Sequence, residues 1–222
     1  MKVVVQNLKK IYKQEILKEV NFNLESGKVY CLLGRNGAGK TTLMKILAGM
    51  LNYDSGSINF NQKQYKDEIF HYVSENPVFL DFLSGVDNLD FVQKLHNMNM
   101  TKIELEMYIQ NAGMQSFAKE LVVNYSHGMK HQLALATAFL IKPKVLLLDE
   151  PLVSLDPINI DVMRKKLEDY AINGNIVFIS THMLPIANKI GDEILLLRDG
   201  VIHQVVNNFA ESDFEEFILN KI

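Results

Sequence analysis

Gly34, Arg35, Asn36, Gly37, Ala38, Gly39, Lys40 and Thr41, with Thr42 next, fit the spacing G-x-x-x-x-G-K-[ST] throughout. Glycines at these places let backbone N–H groups turn inward, and a helix opening at the lysine adds the positive end of its dipole. Such a loop cradles phosphates. Gly34, Asn36, Gly37, Ala38, Gly39, Lys40, Thr41 and Thr42 are the residues expected to contact a nucleotide. Lys40 reaches the β- and γ-phosphates, and the Thr41 hydroxyl binds Mg²⁺. Further along the chain, Val145-Leu146-Leu147-Leu148 runs into Asp149-Glu150. Four apolar residues hold a strand in the middle of a sheet, so Asp149 emerges beside the phosphate loop, where it can hold the Mg²⁺ shell. Glu150, one residue further out, can polarise an attacking water. Neither motif decides the chemistry alone; together they describe a nucleoside triphosphate hydrolase.

These residues need a scaffold that presents strand ends. Val29-Tyr30-Cys31-Leu32-Leu33 is a continuous apolar run of the kind buried on both faces, and it ends at Gly34. Strands are expected at 2–6, 19–24, 69–73, 145–148, 176–179 and 194–197, and a helix at 40–48. Asp54-Ser55-Gly56 reads as a turn, and Asp199-Gly200 as a hairpin turn into a strand at 201–206. The middle third changes character. Residues 86–124 read as helical, with Thr101 and Glu104 as a capping box, and Ser126 opens a further helix to residue 141. Strand and helix then alternate again, with Pro157 at a helix start and a short helix at 183–189. Ser212 and Glu215 form a second capping box, and Phe214, Phe217 and Ile218 share one face of a closing amphipathic helix. The pattern is an α/β core interrupted by a helical insertion.

Asn124-Tyr125-Ser126-His127-Gly128-Met129-Lys130-His131-Gln132 resembles the LSGGQ signature of ATP-binding cassette (ABC) proteins, in the looser form of many bacterial exporters. Ser126 takes the serine place and Gly128 the second glycine. Tyr125, His127 and Met129 replace leucine, glycine and glutamine. A serine hydroxyl and free N–H groups at a helix N-terminus can still bind a γ-phosphate. Glu150-Pro151-Leu152-Val153-Ser154-Leu155-Asp156-Pro157 looks like the acidic motif running into the family's D-loop, with Asp156 as its aspartate and Ser154 where glycine is usual. Phe178-Ile179-Ser180-Thr181-His182 looks like the strand and switch histidine. Tyr12 stands where an aromatic stacks on adenine, and a packing tyrosine reads almost as well. His71-Tyr72-Val73-Ser74-Glu75 carries glutamate where the family has glutamine. That resembles the cassettes of lantibiotic self-protection exporters, although tolerated variation is an equal reading. Glu75 can still ligate Mg²⁺ or water.

The resemblance spans nearly the whole chain in the family's order. It implies one ABC ATPase domain over residues 1–222: a P-loop NTPase core, an antiparallel β subdomain, and a helical subdomain at 78–142. It implies ATP and Mg²⁺ as cofactors and a homodimer or heterodimer that sandwiches ATP. Glu150, His182 and Lys40 are then catalytic, Thr41, Glu75 and Asp149 hold the metal, and Ser126 and Gly128 face them from the partner. His127 and His131 also have metal-ligand spacing, but no third ligand accompanies them, so the signature reading is preferred.

The bulk numbers fit. The chain has 222 residues, 48% hydrophobic and 22% charged, with net charge -3 and a single cysteine. A globular core and a reducing compartment follow, and nothing in the overall charge calls for nucleic acid. No apolar run approaches the roughly 18 residues that a membrane helix takes, and no signal peptide is evident. The membrane-spanning subunits are therefore expected as separate chains, with this one cytoplasmic and peripheral at the inner face of the cell membrane. Export of a peptide, drug or other amphiphile is the expected task. A nutrient importer, or a soluble ABC ATPase acting on ribosomes or DNA, is the alternative.

Overall fold

The computed structural model describes residues 1–61, 63–64, 69–152 and 157–221. In chain order the elements are β1 (Lys2–Ile11), β2 (Glu15–Glu25), β3 (Lys28–Leu33), α1 (Lys40–Leu47), β4 (Ser55–Phe60), β5 (Lys63–Gln64), β6 (Phe70–Val73), α2 (Gly85–Leu95), α3 (Lys102–Asn111) and α4 (His127–Ile141). They continue with β7 (Val145–Asp149), α5 (Pro157–Ile172), β8 (Ile176–Thr181), α6 (Leu184–Ile190), β9 (Glu193–Arg198), β10 (Val201–Val206) and α7 (Glu211–Lys221). Two compact units divide the chain: Met1–Tyr72 with Lys144–Ile222, and Val73–Pro143.

The first unit is built on two sheets. One has the order β2-β1-β4-β5, the other β10-β9-β3-β8-β7-β6. The second sheet has a parallel centre, β9, β3, β8 and β7, to which β10 adds antiparallel. Its central strands are the continuous apolar runs: β3, β7 and β8 are buried at almost every position. Alternation marks β2 instead, where Leu17, Val20, Phe22 and Leu24 face inward and polar residues face out. Phe22 stacks on Phe178 at 6.0 Å, so the two sheets share one core. Parallel strands with helical crossovers leave their C-terminal ends together, and three of those ends, at Leu33, Asp149 and Thr181, carry the motifs.

Strands β1 and β2 run longer than expected, to Ile11 and from Glu15, and two further details of this unit differ from the sequence expectation. Ser55 and Gly56 belong to strand β4, paired with β1, rather than to a turn. Gly56 has φ +104, and a Cβ there would meet the Asn7 carbonyl oxygen at 2.5 Å, so a glycine that reads as punctuation is the point of closest backbone approach. Helix α7 starts at Glu211, with the Phe214 N–H bonded to the Ala210 carbonyl. The backbone of Ser212 therefore lies within its first turn. The helix does bury Phe214 and Ile218, with Phe209 stacked on Phe217 at 4.8 Å.

The second unit packs α2, α3 and α4 around Leu89, Leu105, Ile109, Val122, Tyr125, Leu133 and Leu140. Residues 86–124 are not one helical stretch. Asn97 (φ 53) follows the end of α2, and Gly113 (φ 72) follows α3, with the Gly113 and Met114 N–H groups bonded back to Gln110 and Ile109. Thr101 and Glu104 form the expected capping box, and Ser84 with Asp87 forms another that opens α2.

Candidate functional site

The phosphate loop joins β3 to α1, and its glycines are dictated by packing as well as by turning. A Cβ at Gly34 would meet the Leu197 carbonyl oxygen at 2.8 Å; one at Gly39, where φ is +105, would meet Ile16 at 2.8 Å. Arg35, Asn36 and Gly37 are exposed, Ala38 and Gly39 half-buried. Thr41, in the first turn of α1, is exposed, and Thr42 half-buried. Gly34 to Ala38 also line a cavity of about 600 Å³ with Gln14, Lys18, His182 and Arg198.

Lys40 is buried, and its ammonium donates to the carbonyls of Gly34 at 2.8 Å and Arg35 at 3.3 Å. It lies 3.3 Å from Glu150 Oε1, and that same oxygen lies 3.2 Å from His182 Nδ1. Three residues from three separate motifs thus meet at one carboxylate. Glu150 adopts φ 49, an uncommon left-handed conformation for a side chain of this size, and its N–H donates to the Ser180 hydroxyl at 3.0 Å. Glu150 Oε2 is buried with no partner among the described residues. Buried polar atoms in native proteins are normally paired, so this oxygen marks a place for water or an ion.

Asp149, at the end of β7, is buried and accepts from Tyr72 and Ser180. Neither hydroxyl stands out in the sequence. The only signal for Ser180 is its place two residues before His182; Tyr72 has none until the strand order is known. Tyr12 lies exposed between β1 and β2, with the Lys10 ammonium 5.2 Å from its ring centre. Asp156 lies outside the described residues.

The remaining expected residues belong to the helical unit. Ser126 caps α4, its hydroxyl accepting the Met129 N–H at 3.2 Å. Gly128 stands in the first turn, and a Cβ there would find only Ser126 Oγ within 4 Å, at 3.9 Å. Glu75 is exposed, and its carbonyl accepts from His131 Nε2 at 2.6 Å.

The ABC transporter family model matches residues 17–153. The chain belongs to the ABC transporter family. It is 35% identical over 223 residues to the lantibiotic transport ATP-binding protein SrtF of Streptococcus pyogenes, covering 98% of this chain and 96% of that protein. It is 34% identical to the bacitracin transport ATP-binding protein BcrA of Enterococcus faecalis, covering 92% of this chain and 69% of the relative. A solved ATP-binding subunit of an ABC transporter superposes with a TM-score of 0.85 at 22% identity, over 99% of this chain and all of the other. The chain therefore has the ABC transporter ATPase fold and is an ABC ATPase.

The site of this ABC transporter subunit also fits a magnesium ion held in the way phosphate sites hold one. Mg²⁺ takes hard oxygen donors and leans on substrate phosphates rather than an all-protein cage. Asp149, the exposed Thr41 hydroxyl and the unpartnered Glu150 oxygen are such donors, and no group of three or more His, Cys, Asp or Glu side chains forms a cage among the described residues. No helix among them is long and apolar enough to cross a membrane.

Proposed function

We propose that this chain powers the export of a peptide or other amphiphile through separate membrane-spanning subunits, working as a dimer of ATPase subunits at the cytoplasmic face. The observation that carries the ATPase reading is the meeting of Lys40, Glu150 and His182 at the end of the phosphate loop. The two named relatives, a lantibiotic and a bacitracin transport ATP-binding protein, support the substrate class.

Lys40 now spends its charge on two loop carbonyls and Glu150. A triphosphate entering the loop competes for that ammonium, and the exchange frees the Glu150 carboxylate to face a water. Glu150 accepts the water's proton as the water oxygen bonds to the γ-phosphorus and the bond to the bridging oxygen breaks, releasing ADP, and His182, bonded to the same carboxylate oxygen, holds it in place. Loop N–H groups between Gly34 and Gly39 stabilise the charge that builds on the phosphates. Asp149, Thr41 and Glu75 would hold Mg²⁺, which when bound neutralises charge on the phosphate oxygens. Tyr12 would stack on the adenine. Ser126 and Gly128, at the N-terminus of a 15-residue helix, would contact the γ-phosphate bound by the partner subunit. Residues 78–142 act as the helical subdomain of a single domain and carry the signature helix.

Two measurements test this. Glu150→Gln in the presence of ATP should sediment as a dimer and the wild type without nucleotide as a monomer; monomer under both conditions at high concentration overturns the sandwich. Deleting the gene in its native cell should raise sensitivity to a peptide antibiotic or toxic amphiphile, whereas a defect confined to nutrient uptake overturns export.

A further inference from the structure

Asp149 is only 3% exposed, yet each of its carboxylate oxygens already holds a donor. The Tyr72 hydroxyl donates to Oδ2 at 2.8 Å, and the Ser180 hydroxyl donates to Oδ1. Ser180 is fully buried and pairs with Asp149 in the parallel register of β7 and β8. Its single proton goes to Asp149, and its oxygen accepts the Glu150 N–H at 3.0 Å. One serine therefore fixes two consecutive carboxylates: the side chain of Asp149 directly and the left-handed backbone of Glu150 through its amide.

A carboxylate with one donor on each oxygen cannot turn without breaking a bond, and each oxygen keeps a second lone pair. That is the arrangement by which outer residues orient a metal ligand and raise its affinity. Tyr72 adds a second consequence. It stands on β6, beside β7 in the sheet, and precedes Glu75 by three residues. The Asp149 carboxylate is thereby tied to the strand that leads into the Glu75 loop.

We propose that the hydroxyls of Tyr72 and Ser180 are positioning groups that orient Asp149 for Mg²⁺, with Tyr72 linking that carboxylate to the strand entering the Glu75 loop. The inference rests on the reading of Asp149 as a metal-holding residue. It is tested on the full chain saturated with a non-hydrolysable ATP analogue, titrating Mn²⁺ and reading free Mn²⁺ by electron paramagnetic resonance. Tyr72→Phe keeps the ring and loses only the hydroxyl; it should weaken Mn²⁺ binding about tenfold, as should Ser180→Ala. Binding of the same analogue in EDTA should be unchanged in Tyr72→Phe, a result that a general loss of structure would not give. Asp149→Asn serves as the reference. If it weakens Mn²⁺ binding while Tyr72→Phe and Ser180→Ala match the wild type within twofold, the positioning role is overturned and the metal reading stands. If Asp149→Asn itself matches the wild type, the metal reading falls and the inference with it.

Discussion

The two units solve the problem of order differently. In the first, charged and polar side chains are locked to one another: Lys40 to Glu150, Glu150 to His182, Asp149 to Tyr72 and Ser180. Strands buried on both faces surround them. The helical unit is held at its ends instead. Ser84, Thr101 and Ser126 cap its three helices, and Asn88 bonds to the backbone of Leu80 and Ser84. It also leaves large apolar side chains in solvent, among them Val78 at 91%, Phe82 at 84% and Ile103 at 70% exposure. A buried carboxylate network makes geometry rigid where chemistry needs it, whereas the helical unit takes its order from its caps and its own apolar core.

The largest expected effects test the lock. Glu150→Gln removes the proton acceptor but keeps the shape, so turnover should fall between about 100- and 10,000-fold with ATP affinity retained. Lys40→Ala should weaken ATP binding instead, since it removes the buried positive charge from the loop. Turnover and equilibrium ATP binding, measured side by side, separate the two; a Glu150→Gln protein that hydrolyses ATP at the wild-type rate would falsify its role as base. On the helical side, Glu75→Ala should impair transport more than the basal ATPase of the isolated subunit, and equal losses would remove the contrast between the units.

Packing should show the same contrast. Leu147 is fully buried in β7, and Leu147→Ala should cost about 2–5 kcal/mol. Phe82→Ser, in an exposed side chain, should change stability by less than about 0.5 kcal/mol. Calorimetric unfolding of both variants checks this, and a Phe82→Ser loss as large as the Leu147→Ala loss would mean that the helical unit is packed as tightly as the core.

Sequence carried most of this architecture because continuous apolar runs and capping residues act locally. Val29 to Leu33 and Val145 to Leu148 read as buried strands because nothing polar interrupts them, and Thr101 with Glu104 reads as a helix start because the bonds close within four residues. What escaped depends on distant partners. Strand β4 was hidden because Gly56 earns its place from Asn7 in another strand. Tyr72 and Ser180 were hidden because they converge on Asp149 only when β7 lies between β6 and β8. The loop lysine's bonds to Glu150 and to its own carbonyls were hidden for the same reason: the motif's spacing names the groups without placing them.

Ser126→Ala removes the side-chain acceptor at the start of α4 and should cost about 1 kcal/mol. Thermal unfolding measures that loss, and no change in stability would show that the hydroxyl does not act as a cap.

The smallest effect concerns His131. Its Nε2 must carry a proton to donate to the Glu75 carbonyl, which leaves Nδ1 the acceptor in the neutral ring, buried and without a partner among the described residues. Burial lowers the His131 pKa from the ordinary value of 6.5, and the nearby ring of His127, 4.5 Å away between centres, acts in the same direction; the Glu75 carbonyl and carboxylate oppose them. As pH falls past 6.5 the unfolded chain takes up a proton on this residue while the folded unit still resists it. Stability contributed at neutral pH is therefore lost on the acid side, progressively, until the folded pKa is reached. His131→Gln can still donate an amide N–H to the Glu75 carbonyl but does not titrate. Its stability should fall less steeply than the wild type's between pH 7 and pH 5.5, measured as the change in denaturant midpoint. An identical slope in the two proteins would show that the ring takes its second proton as freely in the folded state as in the unfolded one.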